Sequence, residues 1–177
     1  KKPKKDKVGE KLFSDLIEHR KTLSKYYKLQ NEELGQQELD EGIQRLLDRL
    51  VFIRTAEDRG IENTRLMPLV REWEDRGRKK ELRGELKRVF REFDEGYDSK
   101  IFSPHSLEDW EINDNELKRV IEKLYNPDET YTRYDFSAID ADVLGGIYEQ
   151  YLSHLLKETP KRAKVIPTKS KRKEQGI

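Results

Sequence analysis

Four short stretches of the chain carry residue types that could do chemistry. Asp142-Val143-Leu144-Gly145-Gly146 has the glycines of a nucleotide loop, but such a loop follows a strand and usually places a third glycine three positions on. That position is Glu149, and the apolar spacing around it is helical, so the glycine pair reads as a close approach of a neighbouring helix. Asn126-Pro127-Asp128-Glu129 starts like the Asn-Pro-Pro-aromatic signature that grips an adenine amine, yet lacks the second proline and the aromatic; it reads as a turn. His105 with Glu108 and His154 with Glu158 have helix-face spacing, but no HExxH or second ligand pair accompanies them, and surface histidines are the expectation. Asp94, Asp98 and Lys100 have the residue types of a nuclease centre without the strands that would hold it. Cys is absent, which excludes disulfides, thiolate metal sites and a cysteine nucleophile. The expectation is a chain with no catalytic, cofactor-binding or metal-binding residue of its own.

The ionisable residues inside one apolar stretch are more informative. In LLDRLVFIRTAEDRG, Asp48, Arg49, Arg54, Glu57, Asp58 and Arg59 interleave with the most apolar segment of the sequence. Arg54 and Asp58 can pair at i, i+4, and partly buried charges need partners. Two readings stay open: a structural network of ion pairs, or an arginine facing a partner domain or a DNA phosphate. The second makes Arg49, Arg54 and Arg59 the candidate contacts.

The elements that must position these residues are helices. Leu12, Phe13, Leu16, Ile17, Leu23, Tyr26 and Tyr27 share a face over 10–29. A helix over 36–59 contains four successive apolar residues, 50–53, which no single stripe can bury, so it is expected at the centre, with Gly60 at its left-handed cap. Further helices are expected over 65–75, closed by Gly77, over 78–95, after an Asn113 cap, and after an Asp140 cap. The stretch after Gly96 should cross the surface, tacked down by Ile101, Phe102, Leu107 and Trp110. No segment alternates with period two for long enough to build a sheet. The fold class is all-α, an irregular multi-helix bundle of roughly six helices with flexible basic termini.

Composition agrees with narrow apolar faces: 33% of the 177 residues are hydrophobic and 41% charged, against roughly 45–50% and 25% in an average globular chain. The net charge of +1 hides an asymmetry. Residues 1–7 carry five Lys and one Asp (+4), and residues 160–177 carry seven Lys and Arg and one Glu (+6), leaving +1 − 4 − 6 = −9 for residues 8–159. Binding of nucleic acid by bulk charge is therefore not expected, and contact with phosphates must be local. Lys169, Lys171, Arg172 and Lys173 in the terminal KSKRKEQGI are the candidates, since a basic run needs no fixed geometry to meet a phosphate. No apolar run approaches a membrane span, no signal peptide is evident, and a cytoplasmic location is expected.

Leu46 to Ile61 (LLDRLVFIRTAEDRGI), Tyr134 to Leu152 (YDFSAIDADVLGGIYEQYL) and the terminal KRKEQGI together resemble the helical region that precedes the catalytic domain of N6-adenine DNA methyltransferases. The resemblance is to the single-chain type IIG restriction-modification enzymes of the Eco57I-like and MmeI-like kind. In that family a basic string and a Gly lead into a Tyr-Tyr-Thr-Pro element that contacts S-adenosylmethionine; Lys171, Arg172, Lys173 and Gly176 match the lead-in.

The resemblance implies a fragment of a longer chain: a basic linker at 1–8, a helical connector domain at 9–158, and a basic linker at 159–177 leading toward an absent methyltransferase domain. The connector would be non-catalytic and would position nuclease and methyltransferase domains of the same polypeptide on DNA. S-adenosylmethionine and a divalent metal, Mg by expectation, are implied for the parent enzyme and not for this fragment. A free-standing helical protein-interaction module is the alternative.

Overall fold

The computed structural model describes residues 4–97, 100–128 and 133–139. In chain order these form α1 (Lys4–Gln30), α2 (Gln36–Asp58), α3 (Leu66–Asp75), α4 (Leu82–Gly96) and α5 (Asp114–Lys123), with 3-10 turns at Lys100–Phe102, Ser106–Asp109 and Phe136–Ala138. The class is all-α, and no strand occurs among the described residues. The helix expected after Asp140, with its glycine pair, and the basic run from Lys169 lie outside the described residues.

α2 is the centre. Every residue from Leu46 to Glu57 is buried, more than three turns in which no face reaches solvent. α1 packs along it, α5 packs on α1, α3 and α4, α4 also meets α3, and the 3-10 turns lie against α2. Phe52 shows how the surroundings are built: it meets Phe102 at 5.0 Å, Tyr97 at 5.1 Å and Phe93 at 6.1 Å, each edge to face, the arrangement the ring quadrupoles favour.

Local sequence explains most boundaries. Gly60 takes the left-handed conformation after α2 (φ 74°) and Gly77 does so after α3 (φ 80°). Asn113 caps α5, accepting from the Asn115 N–H at 2.8 Å. Two starts differ from expectation. α1 begins at Lys4 rather than near residue 10, and Val8 already packs against the core. α4 begins at Leu82 rather than 78, because Arg78 also sits at positive φ (56°), and the Leu82 N–H is then met by Asp114 Oδ1 at 3.1 Å.

The stretch between α4 and α5 is fastened by one glycine and one amide. Trp110 lies against the α2 backbone at Gly42, where an added Cβ would stand 2.2 and 2.4 Å from its ring atoms, and it meets Tyr27 of α1 edge to face at 5.6 Å. Asn31 donates to the Glu111 carbonyl (2.8 Å) and accepts from the Glu111 N–H (3.1 Å). Gly42→Ala should therefore lower the unfolding free energy by about 1–3 kcal/mol through overpacking, although alanine is the better helix former. Urea melts of the two proteins decide the sign, and a stabilised variant would contradict the Trp110 contact.

Candidate functional site

The charges of α2 assemble into two buried clusters. In the first, Arg49 is fully buried and spends its guanidinium on three partners. Nε donates to the Ile101 carbonyl at 2.6 Å, Nη2 to the Ser103 carbonyl at 2.7 Å, and Nη1 to Glu108 Oε2 at 2.7 Å. Arg91 of α4 donates to the same Glu108 oxygen at 2.7 Å, so one carboxylate balances two cations. The Arg49 plane also lies over the Phe90 ring, 4.7 Å from its centroid. Burial pulls Arg49 down to about 10 against the support of Glu108, which still leaves it charged at neutral pH.

Beside this cluster His105 reaches Glu41 with Nε2 at 2.8 Å, while its Nδ1 accepts the Leu107 N–H at 2.9 Å. A nitrogen that accepts carries no proton, so the ring is the neutral Nε2–H tautomer. Burial, the largest cause, lowers its pKa in the same sense.

The second cluster joins two stretches far apart in the chain. Arg54, fully buried, donates from Nε to the Leu124 carbonyl (3.0 Å) and from Nη2 to the Tyr134 carbonyl (3.0 Å). Its Nη1 donates to Glu57 Oε1 at 3.1 Å and to Asp58 Oδ1 at 2.9 Å. The rings of Tyr125 and Phe136 lie 4.0 and 4.7 Å from its guanidinium carbon. Each carboxylate then bonds onward. Glu57 accepts the Tyr125 hydroxyl at 2.7 Å and, through Oε2, the N–H groups of Arg65 (2.7 Å) and Leu66 (3.0 Å). It thereby places an anion where α3 presents unpaired donors. Asp58 Oδ2 accepts the Phe136 N–H at 2.8 Å.

The segment 133–139 is thus held along its length. Tyr134 N–H bonds to the Tyr125 carbonyl at 2.7 Å, its hydroxyl donates to Asp15 of α1, and Arg59 reaches the Ile139 carbonyl at 3.5 Å. Burial and the neighbouring carboxylates push the Tyr125 and Tyr134 phenols above their ordinary range, so both remain donors.

Of the residues expected to meet a phosphate or a partner domain, Arg49 and Arg54 lie inside, and every contact described for them is within this domain. Arg59 is exposed at the end of the second cluster. Lys169, Lys171, Arg172 and Lys173 lie outside the described residues. The Arg54–Asp58 pair follows from its spacing, whereas Glu108, Arg91, Glu57 as a cap and Tyr125 were missed; the one available signal was an acid set among Leu107 and Trp110. The expectation of surface histidines needs correction for two of the three; His154 lies outside the described residues. His105 is largely covered, and His19 is only 7% exposed, because helix periodicity puts it on the apolar face of α1. Among the described residues no group of three or more His, Asp and Glu is placed to hold a metal ion, and no helix is long and apolar enough to cross a membrane.

The second cluster binds the stretch from residue 46 to 61 to the beginning of the stretch at 134, two of the segments on which the resemblance rests. Over 131 residues the chain is 29% identical to the type II restriction enzyme and methyltransferase RM.Eco57I of Escherichia coli. The chain is distantly related to a restriction-modification enzyme. The match covers 73% of this chain but 12% of that protein's length. No family model and no solved structure matches the chain.

Two outcomes are expected. Arg54→Met should destabilise the fold by about 3–5 kcal/mol in urea unfolding, since two carboxylates lose their buried partner. Arg54→Lys should recover little, because one ammonium cannot reach two carbonyls and two carboxylates; a cost below about 1 kcal/mol for Met would remove the cluster from the stability account. The second concerns His19, which burial lowers to about 4, with Asp15 opposing and Lys123 reinforcing. Its neutral form is the one the fold holds, so its contribution is full above the unfolded value near 6.5 and is lost as pH falls toward 4. Between pH 7 and 5 that loss is about 2 kcal/mol, and it should be absent from the pH dependence of His19→Gln.

Proposed function

We propose that this chain is the helical connector of a type IIG restriction-modification enzyme, a non-catalytic spacer that sets the separation and orientation of the nuclease and adenine-N6 methyltransferase domains on DNA. The observation that carries the reading is the Arg54 cluster. It spends a buried cation, two carboxylates and two aromatic rings on fixing where residues 133–139 run relative to α2, and those residues lead toward the C-terminal part of the chain. Investment in geometry rather than in a reactive centre is what a spacer requires. The similarity to a protein whose name combines restriction enzyme and methyltransferase supports the same reading.

In this assignment Arg49 and Arg54 act from within as positioning residues. Arg59 and the run Lys169, Lys171, Arg172 and Lys173 face a neighbouring domain or DNA. In the same reading S-adenosylmethionine belongs to the methyltransferase domain and the divalent metal to the nuclease domain. The location is the cytoplasm, where the DNA is.

The test is made in the intact enzyme. Asp58→Ala should blur the distance between recognition and cleavage, read by mapping cut positions on end-labelled DNA, while methylation persists. An unchanged sharp cut would remove the clasp from the spacing account. A reading frame that lacks nuclease and methyltransferase domains on either side would end the connector reading and favour a free-standing interaction module.

A further inference from the structure

We propose that the turn between α3 and α4, Arg76 to Lys80, is a contact for the phosphate backbone of duplex DNA. The choice of DNA as partner rests on the connector reading; the availability of the turn does not.

The segment 76–91 stands apart in charge. It carries eight Arg and Lys against Glu81 and Glu85, a net +6, inside a stretch, residues 8–159, whose net charge is −9. Most of these cations are already paired. Arg83 meets Glu111 at 2.6 Å, Lys87 meets Asp109 at 2.9 Å, Arg88 meets Glu85 at 3.2 Å, and Arg91 meets Glu108 at 2.7 Å. The surplus collects in the turn. Arg76 has only a loose, exposed partner in Glu72 at 3.6 Å, a pairing worth little in water. Lys79 and Lys80 are exposed, and neither side chain has a partner among the described residues.

The turn is also held still. Gly77 and Arg78 both lie at positive φ, and Arg78 is the one non-glycine residue there among those described. Its guanidinium is locked by Glu74 at 2.7 Å and Asn115 at 2.7 Å and stacks on Trp73, 4.5 Å from the ring centroid. The Trp73 indole N–H donates to the Lys80 carbonyl at 2.7 Å. Glu74 is occupied by Arg78 and by Lys118 at 2.9 Å, and Glu81, next to Lys80 in the chain, by Arg83 at 3.0 Å, so neither acid is paired with the lysines. Backbone held in the left-handed region at a bulky residue has a cost. Here it presents a small, fixed group of cations from an otherwise acidic body, the complement of a polyphosphate strand and a contact that positions without reading sequence.

The experiment measures binding of a fluorescently labelled duplex to the intact 177-residue chain by anisotropy, from about 25 to about 200 mM salt. Lys79→Ala with Lys80→Ala should weaken binding on the order of tenfold at low salt and flatten the slope of log K against log salt by roughly two. Its thermal melt by circular dichroism should match the parent. Deleting residues 168–177 should lower the affinity and leave that loop-dependent share of the slope in place. Unchanged affinity and slope in the lysine variant overturn the proposal, as does a deletion that abolishes all binding. A chain that binds no duplex at low salt also overturns it and leaves the connector reading to its own test in the intact enzyme. Equal, lysine-dependent binding of polyglutamate would assign the turn to an acidic protein and overturn the DNA assignment.

Discussion

Twelve consecutive buried residues on one helix, two of them arginines without solvent, form the constraint around which the domain is arranged. A guanidinium removed from water must recover its hydrogen bonds inside the protein, and a single carboxylate satisfies only part of its five-donor fork. Arg49 and Arg54 therefore each recruit backbone carbonyls as well as acids. The carbonyls are those of Ile101 and Ser103 for Arg49 and of Leu124 and Tyr134 for Arg54, all outside the α-helices. The helices could pack by apolar contact alone. The segments around Ile101 and Tyr134 gain from these donors fixed points that add to the Trp110 and Asn31 contacts and to their own buried apolar residues.

The two clusters divide the labour with the aromatic residues. Phe90 and Phe102 flank Arg49, and Tyr125 and Phe136 flank Arg54, so each cation is enclosed by ring faces that exclude water while its edge is hydrogen bonded. Glu57 links the second cluster to the start of α3, and Asp58 links it to the segment at 136. One turn of α2 thereby fixes the origin of a helix on one side and the exit of the chain on the other. That coupling suits a module whose proposed work is spatial.

Much of what was local in sequence could be read from it. The limits of α2, the Asn113 cap, the glycines at 60 and 77 and the Arg54–Asp58 pair all follow from neighbours within four residues. The remainder depended on partners brought together by folding. Glu108 lies 59 residues from Arg49, and Tyr125 lies 68 from Glu57; a buried acid in a polar loop has the same appearance in sequence as a solvated one. Gly42 gave no sign of its role either, since only the packed Trp110 ring shows why a Cβ is excluded there. The start of α4 was misplaced because Arg78 at positive φ breaks a rule that normally reserves such positions for glycine. A surface position for His19 does not follow from the absence of a metal-ligand motif, because its phase on α1 sets it on the apolar face.

The second cluster also bears on the order in which the domain is made. Synthesis runs from the N-terminus, and Arg54 leaves the ribosome 80 residues before the carbonyl of Tyr134 that it binds. Asp58 precedes its Phe136 partner by 78 residues. Through that interval the most apolar helix of the chain has Arg54 paired with Glu57 and Asp58 but lacks the Leu124, Tyr134 and Phe136 backbone partners of that cluster, so it cannot settle into its final surroundings when first formed. The centre of the domain is among the early parts to be synthesised and among the last to be completed, and a nascent chain halted before residue 134 holds its core helix without the group that closes it.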